Sequence, residues 1–334
     1  MSVIAVAASP EVRELFFDAD ARAALGRLGE VRLPAVGDDV GDEATLARLL
    51  ADADVVVTGW GCAPLSAAVL DVAPRLRLLA HTGASVKPFV TPESFARGVR
   101  VTQAGEAMAY AVGEQALALT LALLHGLHRF DHALRTGVDW ASAKAAPPRR
   151  ELRGATVGVV GASRTGRAYL GLVRALGTRV LVVDPHLSAA EAETLGVERV
   201  GLDDLLTRSL VVSLHAPVLP ETVGMIGARE LARLSDGALL VNTARSALVD
   251  EAALLAVLRS GRIDAALDVF DAEPLPVGHP FRRLPNVLLT PHEAAGTVGS
   301  RQRAGAIVVA EIDRFLRGSP LRHEVRPEQL DRTG

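Results

Sequence analysis

Cysteine is almost absent from this 334-residue sequence, which contains only Cys62. No intramolecular disulfide can therefore form, and a cytoplasmic location is consistent with that composition. Basic residues are not in excess either, since the formal net charge is −3, so the charge does not point to nucleic acid or to an anionic membrane as a partner. Uncharged apolar runs that approach the ~20 residues needed to span a bilayer are also missing. We therefore expect a protein that binds neither nucleic acid nor membrane.

The length and the order of the hydrophobic patterns predict an α/β protein with two domains. Short apolar runs that are typical of buried strands, such as Val3–Ala7 and Val55–Thr58, alternate with helical patterns from one end of the chain to the other. This alternation favours parallel sheets with helices on both faces.

A long helical pattern runs from Gly105 to Thr136 and is apolar on more than one face. Such a helix is expected to be deeply buried or packed at a subunit interface. A proline-containing loop is expected at residues 141–150, and a last helical pattern at 297–316 precedes a polar tail.

A dinucleotide-binding signal follows that loop. The strand-like run 156–160 leads into a glycine-containing turn, an apolar helical pattern and a second strand that ends in Asp184. Gly161 permits a tight turn, Gly166 allows helix and strand to pack closely, and the helix N-terminus would face a pyrophosphate. Asp184 would accept hydrogen bonds from the adenosine ribose and repel a 2′-phosphate, so the pattern favours NAD over NADP.

Ser163 departs from this glycine fingerprint, because it stands where the middle glycine is usual. Its hydroxyl would either donate to a phosphate or weaken cofactor binding by its bulk. The hexapeptide from Gly161 to Gly166 is a weak signal without its flanking strands and Asp184.

Three ionisable residues follow successive strand-like runs further along the chain. Arg245 ends VNTAR, Glu273 ends ALDVFDAE and Pro274 follows it, and His292 ends VLLTPH. Ligands bind outside the carboxyl ends of parallel strands, so these side chains are expected to converge. An arginine with a carboxylate–imidazole pair suits a small anionic carbonyl compound, since one group holds it and the pair moves a proton.

These motifs resemble those of the D-isomer-specific 2-hydroxyacid dehydrogenases, the group that includes phosphoglycerate dehydrogenase. The resemblance covers most of the chain and is carried by LHAP (214–217), VNTARSALVDEAAL (241–254), GRIDAALDVFDAEP (261–274) and LTPHEAAGT (289–297).

The resemblance implies two Rossmann-like or flavodoxin-like parallel-sheet domains, with the cofactor domain inserted into a discontinuous substrate domain. Residues 104–293 would form the NAD-binding domain, and residues 1–103 with 294–334 would form the substrate domain. A homodimer through the helix at 105–136 is also implied.

The resemblance also implies an NAD-dependent oxidoreductase that interconverts a small 2-oxo acid and a D-2-hydroxy acid. Arg245 would bind the substrate carboxylate and carbonyl oxygen. His292 would exchange a proton with that oxygen, and Glu273 would orient the imidazole and favour its charged form.

Further contacts follow from the same resemblance. The cofactor would contact the turn and the strand ends at Gly161, Ser163, Arg164, Thr165, Gly166, Asp184, His215, Ala216, Pro217, Thr243, Ala244 and Asp268. The substrate carboxylate would bind backbone N–H groups of Gly83, Ala84 and Ser85. From its own position at the mouth of this turn, His81 is a further candidate for contact with the substrate. The simpler interpretation of residues 83–85 is an ordinary strand-to-helix turn.

Two other functions remain open at this point. The same fold would also serve another small anion, such as phosphite or a phosphonate-bearing acid, or a non-catalytic NADH sensor of the co-repressor type. His128 and His132 lie at i,i+4 spacing, but no adjoining glutamate completes a metal-binding pattern, so no metal site is expected.

Overall fold

The computed structural model describes residues 1–145 and 147–332 of the chain. The strands are β1 Val3–Ala7, β2 Glu30–Arg32, β3 Val55–Thr58, β4 Leu78–His81, β5 Arg100–Gln103, β6 Thr156–Val160, β7 Arg179–Val183, β8 Glu198–Arg199, β9 Val211–Leu214, β10 Leu239–Asn242, β11 Asp264–Leu267, β12 Val287–Leu289 and β13 Glu324–Val325. The α-helices are α1 Pro10–Phe16, α2 Ala19–Leu28, α3 Glu43–Leu50, α4 Ala67–Asp71, α5 Pro92–Ala96, α6 Glu106–Leu124, α7 Leu127–Arg135, α8 Trp140–Lys144, α9 Arg164–Ala175, α10 Ala189–Leu195, α11 Leu202–Arg208, α12 Ala228–Arg233, α13 Glu251–Arg259 and α14 Val298–Leu316. Short 3₁₀ helices lie at Ser246–Leu248, Pro280–Arg283 and Pro327–Arg332.

The chain divides into two compact units, one formed by Met1–Met108 with Gly296–Gly334 and the other by Ala109–Ala295. We call them the outer unit and the inserted unit. The domain limits at residues 103 and 293 stay predictions from the resemblance, and residues 333–334 lie outside the described residues.

The outer unit contains a sheet in the order β13-β5-β4-β3-β1-β2. Its strands are parallel except β13, which pairs antiparallel with β5. The chain reaches this unit again through α14, which packs against α1 so closely that a Cβ at Gly305 would overlap the carbonyl of Phe16. This contact holds a helix from the end of the chain against the part of the unit that is formed at its start.

The inserted unit contains a parallel sheet in the order β12-β11-β10-β9-β6-β7-β8. Buried apolar residues pack against both faces of the sheet, as expected for strands that helices cover on each side. The strand order reverses between β6 and β9. Ligands of such sheets bind at this point, outside the carboxyl ends of the strands. The predicted α/β fold class with two parallel sheets is therefore confirmed.

The helical pattern at 105–136 is not one helix, and this expectation was wrong. Gly126 adopts a left-handed conformation with φ of 62°, which ends α6 at Leu124 and lets α7 begin at Leu127. Glycine tolerates that backbone conformation because it has no Cβ. By length and composition α6 is long and apolar enough to cross a membrane, although 61% of it is buried inside the protein. Helices in the core of a globular protein can have the same length and apolar composition.

The loop expected at 141–150 was also partly wrong, because Trp140–Lys144 form the short helix α8. Asp139 caps this helix by accepting hydrogen bonds from the backbone N–H groups of Ala141 and Ser142. Residue 146 of the expected loop lies outside the described residues.

Candidate active site

The glycine turn of the inserted unit joins β6 to α9 at the point where the strand order reverses. Gly161 has a positive φ of 96°, and a Cβ there would lie 2.6 Å from the backbone nitrogen of Ala216. At Gly166 a Cβ would overlap the carbonyl of Gly161. Both positions therefore require glycine, and the turn leaves backbone rather than side chain at the N-terminus of α9. This shape fits the pyrophosphate of a dinucleotide.

Ser163 is the N-cap of α9. Its Oγ accepts a hydrogen bond from the backbone N–H of Gly166 at 3.3 Å and donates one to the carbonyl of His215 at 2.8 Å. Thr165 Oγ1 lies 3.0 Å away. Because the single hydroxyl proton is directed at the carbonyl of His215, Ser163 acts here as a helix cap that also joins the turn to the end of β9.

Asp184 follows β7 and holds the same turn from its other side. Its Oδ2 accepts a hydrogen bond from the backbone N–H of Ala162 at 2.6 Å, and Oδ1 accepts one from the N–H of His186 at 2.7 Å. Asp184 also lines a surface pocket of about 560 Å³ with Pro185 and Val200. The carboxylate of Asp184 therefore lies where the sequence pattern predicts that the adenosine ribose binds.

His215 and Thr243 follow the neighbouring strands β9 and β10, and each has a buried polar atom without a partner. His215 Nδ1 and Thr243 Oγ1 make no hydrogen bond within residues 1–145 and 147–332. Unsatisfied polar atoms are uncommon inside native proteins and call for an explanation. Together with the glycine turn, they show that this edge of the sheet fits a polar ligand such as a dinucleotide.

Arg245 extends from a loop that Asn242 closes. The Asn242 amide donates to the carbonyl of Arg245 at 2.9 Å and accepts from the backbone N–H of Ala244 at 3.0 Å. The Arg245 Nη1 donates to the carbonyl of Ala244 at 2.6 Å. Burial lowers the pKa of Arg245, and the nearby negative charge of Glu273 partly offsets this effect. The guanidinium stays charged, because its ordinary pKa is far above neutrality.

Glu273 and His292 form the carboxylate–imidazole pair that the sequence predicts. His292 Nδ1 lies 2.7 Å from Glu273 Oε2. A carboxylate only accepts, so Nδ1 carries a proton and Nε2 is left to exchange a proton with a ligand. The other oxygen, Oε1, accepts from the backbone N–H of Phe270 at 2.9 Å. Burial acts to raise the pKa of Glu273, but the hydrogen bonds from His292 and Phe270 and the charge of Arg245 outweigh it and lower the pKa.

His292 has a backbone φ of 55°, in the left-handed region that residues with a side chain rarely adopt. Asp268, which is 0% exposed, holds this turn in place. Its carboxylate accepts hydrogen bonds from Thr290 Oγ1 and from the backbone N–H groups of Glu293 and Ala294. Such conformations persist where the surroundings over-determine them, and they cluster at functional sites.

The turn after β4 in the outer unit carries the predicted anion-binding residues. Among the described residues, no group accepts a hydrogen bond from the backbone N–H of Gly83, Ala84 or Ser85. His81 lies beneath this turn, since a Cβ at Gly83 would be 2.6 Å from His81 Nε2. Its Nδ1 is 3.0 Å from Thr58 Oγ1, and burial lowers its pKa to about 4. The turn therefore has free donors for an anion, and His81 is a neutral supporting group.

Several residues that shape this site were not identified from the sequence. Asn242 stands in the VNTAR segment, and a polar residue at the end of a buried strand is a signal that could have revealed it. Ser213 interrupts the apolar strand β9 in the same way. Nothing in the sequence around Thr290 indicated that it belongs to the site. Cys62 is buried, and burial raises its pKa to about 12. No group of three or more potential metal ligands occurs in the described part of the chain.

Comparison with known proteins identifies a family for these features. Residues 117–294 match the family described as D-isomer specific 2-hydroxyacid dehydrogenase, NAD binding domain. The sequence is 36% identical over 300 residues to D-3-phosphoglycerate dehydrogenase of Mycobacterium leprae, a match that covers 87% of this chain and 56% of that protein. The chain thus spans little more than half the length of that relative.

A second relative is closer in length. Glyoxylate reductase of Korarchaeum cryptofilum is 35% identical over 259 residues, which cover 76% of this chain and 77% of the reductase. Among solved structures, the TT0316 protein from Thermus thermophilus is 30% identical and has a TM-score of 0.81, with 97% of this chain and 100% of that chain covered.

Proposed function

The chain belongs to the D-isomer-specific 2-hydroxyacid dehydrogenase family, and we propose that it transfers a hydride between NAD(H) and a small 2-oxo acid or D-2-hydroxy acid. The observation that carries this proposal is the hydrogen bond between His292 Nδ1 and Glu273 Oε2. It presents a proton-exchanging Nε2 in the unit that contains the glycine turn.

The cofactor is NAD, as the matched NAD binding domain indicates. Gly161 and Gly166 let backbone approach the pyrophosphate, and Ser163 stabilises the start of α9. The carboxylate of Asp184 favours ribose hydroxyls over a 2′-phosphate, which supports NAD rather than NADP.

The protein's own residues supply binding, orientation and proton transfer. Arg245 binds the anionic, oxygen-rich end of the substrate through its planar set of donors. His292 Nε2 gives a proton to the carbonyl oxygen during reduction and takes it back during oxidation. Glu273 fixes the imidazole in the tautomer that leaves Nε2 for this exchange. The nicotinamide supplies the hydride when it is bound.

The substrate belongs to the small 2-oxo acids, and two of the relatives are named for phosphoglycerate and glyoxylate. The free N–H groups of residues 83–85 support an anionic substrate, since successive backbone donors bind a carboxylate well. We assign them to the substrate carboxylate as part of the proposal.

The test is NADH oxidation against glyoxylate, hydroxypyruvate, 3-phosphohydroxypyruvate, pyruvate and phenylpyruvate. We expect a D-configured product, and we expect His292→Ala to lower kcat/KM by about 10²- to 10⁴-fold, the usual contribution of a general acid–base group. Glu273→Gln should also lower it, whereas the control Glu193→Gln, an exposed glutamate on α10, should not.

The outcomes separate the alternatives. Turnover that survives His292→Ala would contradict the assigned acid–base role. Tight NADH binding without turnover of any 2-oxo acid would instead indicate another small anion as substrate, or an NADH sensor.

We also propose that the protein is a homodimer through the region of α6 and α7. Three large apolar side chains of α6 and α7 are well exposed in the single chain, namely Tyr110, Leu127 and Leu134. Apolar side chains that cluster at the surface are typical of an interface. Light scattering should give twice the mass of the chain, and a monomeric mass at micromolar concentration would contradict the proposal.

A further inference from the structure

The segment that carries Glu273 lies almost entirely at the surface of the inserted unit. Residues 271–278 follow Phe270 and contain no helix or strand, and all of them except Leu275 are exposed. A surface segment with few buried contacts has little of its own to hold a side chain at a fixed place. Glu273 nevertheless lies 2.7 Å from His292, so contacts outside these exposed residues must fix the segment.

An arginine ties the second half of this segment to the 3₁₀ helix that follows it. Arg282 Nε donates to the carbonyl of Pro276 at 3.0 Å, and its Nη2 donates to the carbonyl of Leu275 at 2.7 Å. The backbone N–H of His279 also donates to the carbonyl of Pro276, and that of Arg282 donates to the carbonyl of His279. These hydrogen bonds hold residues 275–282 together as one body, which we call the bracket.

His279 joins the bracket to helix α13. Its Nδ1 accepts a hydrogen bond from the backbone N–H of Phe281 at 3.3 Å, and its Nε2 lies 3.1 Å from Glu251 Oε1. Because Nδ1 accepts, the ring proton is on Nε2, which donates to the carboxylate. Only 16% of the His279 side chain and 28% of the Glu251 side chain are exposed. Water therefore competes less for this contact than for an ion pair at the surface.

Glu251 provides a fixed point for this contact. It is the first residue of α13, which Asp250 caps by accepting from the backbone N–H of Ala253 at 2.9 Å. The backbone N–H of Asp250 donates to the carbonyl of Ile226 at 3.1 Å, and Leu254 on the same helix is buried. The rest of the inserted unit therefore holds the start of α13, and Glu251 can anchor the bracket.

The hydrogen bond to Glu251 is the one polar contact between the bracket and a distant element. Within the described part of the chain, no other hydrogen bond or ion pair joins the bracket to residues beyond Leu284 or before Phe270. Phe281 and Leu275 also pack into the core of the unit. Apolar contacts are not directional, so they fix the position of the bracket less closely than a hydrogen bond does.

We propose that His279 is a positioning residue, which through Glu251 holds the bracket, and thereby Glu273, at the place from which Glu273 orients His292. This inference rests on the proposed dehydrogenase function, since it gives His279 a part in the same proton transfer. Two carboxylate–imidazole pairs then act in series. The pair of Glu251 and His279 fixes the segment, and the pair of Glu273 and His292 serves the substrate.

The test compares replacements that remove this contact with one that keeps it. In His279→Asn an amide oxygen can take the place of Nδ1 at the N–H of Phe281, but the side chain is too short to reach Glu251. Glu251→Ala removes the acceptor, whereas Glu251→Gln keeps an oxygen that can accept from Nε2. We expect His279→Asn and Glu251→Ala to lower kcat about tenfold each, with KM for NADH and the kcat of Glu251→Gln within about threefold of wild type. Wild-type kcat in both His279→Asn and Glu251→Ala would overturn the inference.

Two neighbouring arginines give a matched pair of variants for the bracket. Arg282 and Arg283 are both exposed in the same 3₁₀ helix. Within the described residues only Arg282 donates to the carbonyls of Pro276 and Leu275. Arg282→Gln should lower kcat in the same way as His279→Asn, and the control Arg283→Gln should leave it unchanged. Equal kcat values for the two arginine variants would contradict the role of the bracket.

A double variant shows whether His279 acts through Glu273. In the Glu273→Gln background, His279→Asn should lower kcat by less than about twofold, because the carboxylate that it positions is already absent. A loss as large as in the wild-type background would mean that His279 supports only the fold, and it would overturn the inference. Thermal unfolding of each variant is the check on folding.

A second readout is independent of turnover. ¹⁵N NMR of histidine-labelled protein should show His279 with its proton on Nε2, and the Nδ1 resonance of His292 should shift in His279→Asn but not in Arg283→Gln. A protonated Nδ1 on His279, or a His292 resonance that His279→Asn leaves unchanged, would refute the inference alone. Wild-type protein that turns over no 2-oxo acid would refute the proposed function, and the positioning role with it.

Discussion

Replacement of Asp268 by asparagine should destabilise the inserted unit and displace the turn that carries His292. Asp268 is fully buried, and its two oxygens accept from Thr290 and from the backbone N–H groups of Glu293 and Ala294. Asparagine has the same shape but only one accepting oxygen. Its NH₂ group would therefore face at least one donor of the turn.

The magnitude follows from the groups left without a partner. A buried donor that loses its acceptor costs about 1–3 kcal/mol, and each hydrogen bond to a charged group contributes about 1.5–3 kcal/mol. Asparagine is cheaper to bury than a carboxylate, which offsets part of this loss. We expect a net decrease of about 2–4 kcal/mol in the free energy of unfolding. For a unit of this size, that corresponds to a fall of roughly 4–16 °C in Tm.

The Asp268→Asn substitution should change kcat without a comparable change in NADH affinity. His292 has a positive φ, and the hydrogen bonds of Asp268 hold the turn in which it lies. Loss of these hydrogen bonds should displace His292 and lower kcat by about a hundredfold, as small misplacements of a reacting group do. NADH affinity should stay within about threefold if Asp268 acts only through the turn. A larger loss of NADH affinity would indicate that Asp268 also contacts the cofactor, as the family resemblance predicts.

The assay pairs Asp268→Asn with Asp271→Asn, which makes the same change of charge at an exposed position three residues away. Urea unfolding and steady-state kinetics are measured for both variants. If the Asp268→Asn variant has the urea midpoint and the kcat of the wild type, Asp268 does not hold the turn of His292 in place and the reasoning is wrong.

Three further predictions concern the glycine turn and the buried histidines. Gly161→Ala should abolish measurable NADH binding, because the positive φ and the crowded backbone exclude a Cβ, whereas Gly171→Ala, inside α9 with open space around it, should stabilise the protein by up to about 1 kcal/mol in urea unfolding. Ser163→Ala should lower stability by about 1 kcal/mol through loss of the helix cap, and an unchanged urea midpoint would contradict that role. The pKa values of His81 and His215 are lowered by burial to about 4 and about 3, so the unfolded chain binds protons that the native protein does not. Stability should therefore fall as the pH decreases from about 6.5 towards about 4, and urea midpoints that do not change over this range would contradict it.

Much of the fold was predictable because its signals are local. The strands β1, β3 and β6 are continuous apolar runs, and parallel strands buried on both faces require such runs. The order strand, glycine turn, helix, strand and acid likewise indicates a nucleotide-binding unit without any distant contact. The family segments around Arg245, Glu273 and His292 are long enough to be specific, and the comparison with known proteins confirms the family.

Other features were not predictable, since small changes in backbone conformation decide them. Gly126 breaks the expected helix at 105–136, although glycine inside a helical pattern is often tolerated. β13 contains two residues, Glu324 and Val325, and it forms only because β5 offers a free edge. Its side chains carry no pattern that distinguishes a strand from a polar tail.

By itself the sequence determined the fold class, the nucleotide-binding turn and the family, because these depend on the order and spacing of residues close together in the chain. The tertiary structure alone decided which distant groups meet. It placed Asp268 under the turn of His292, and it brought Thr120 on α6 to 2.9 Å from the Tyr169 hydroxyl on α9. These contacts depend on strand register and helix packing to within a hydrogen-bond length, which residue order does not encode locally.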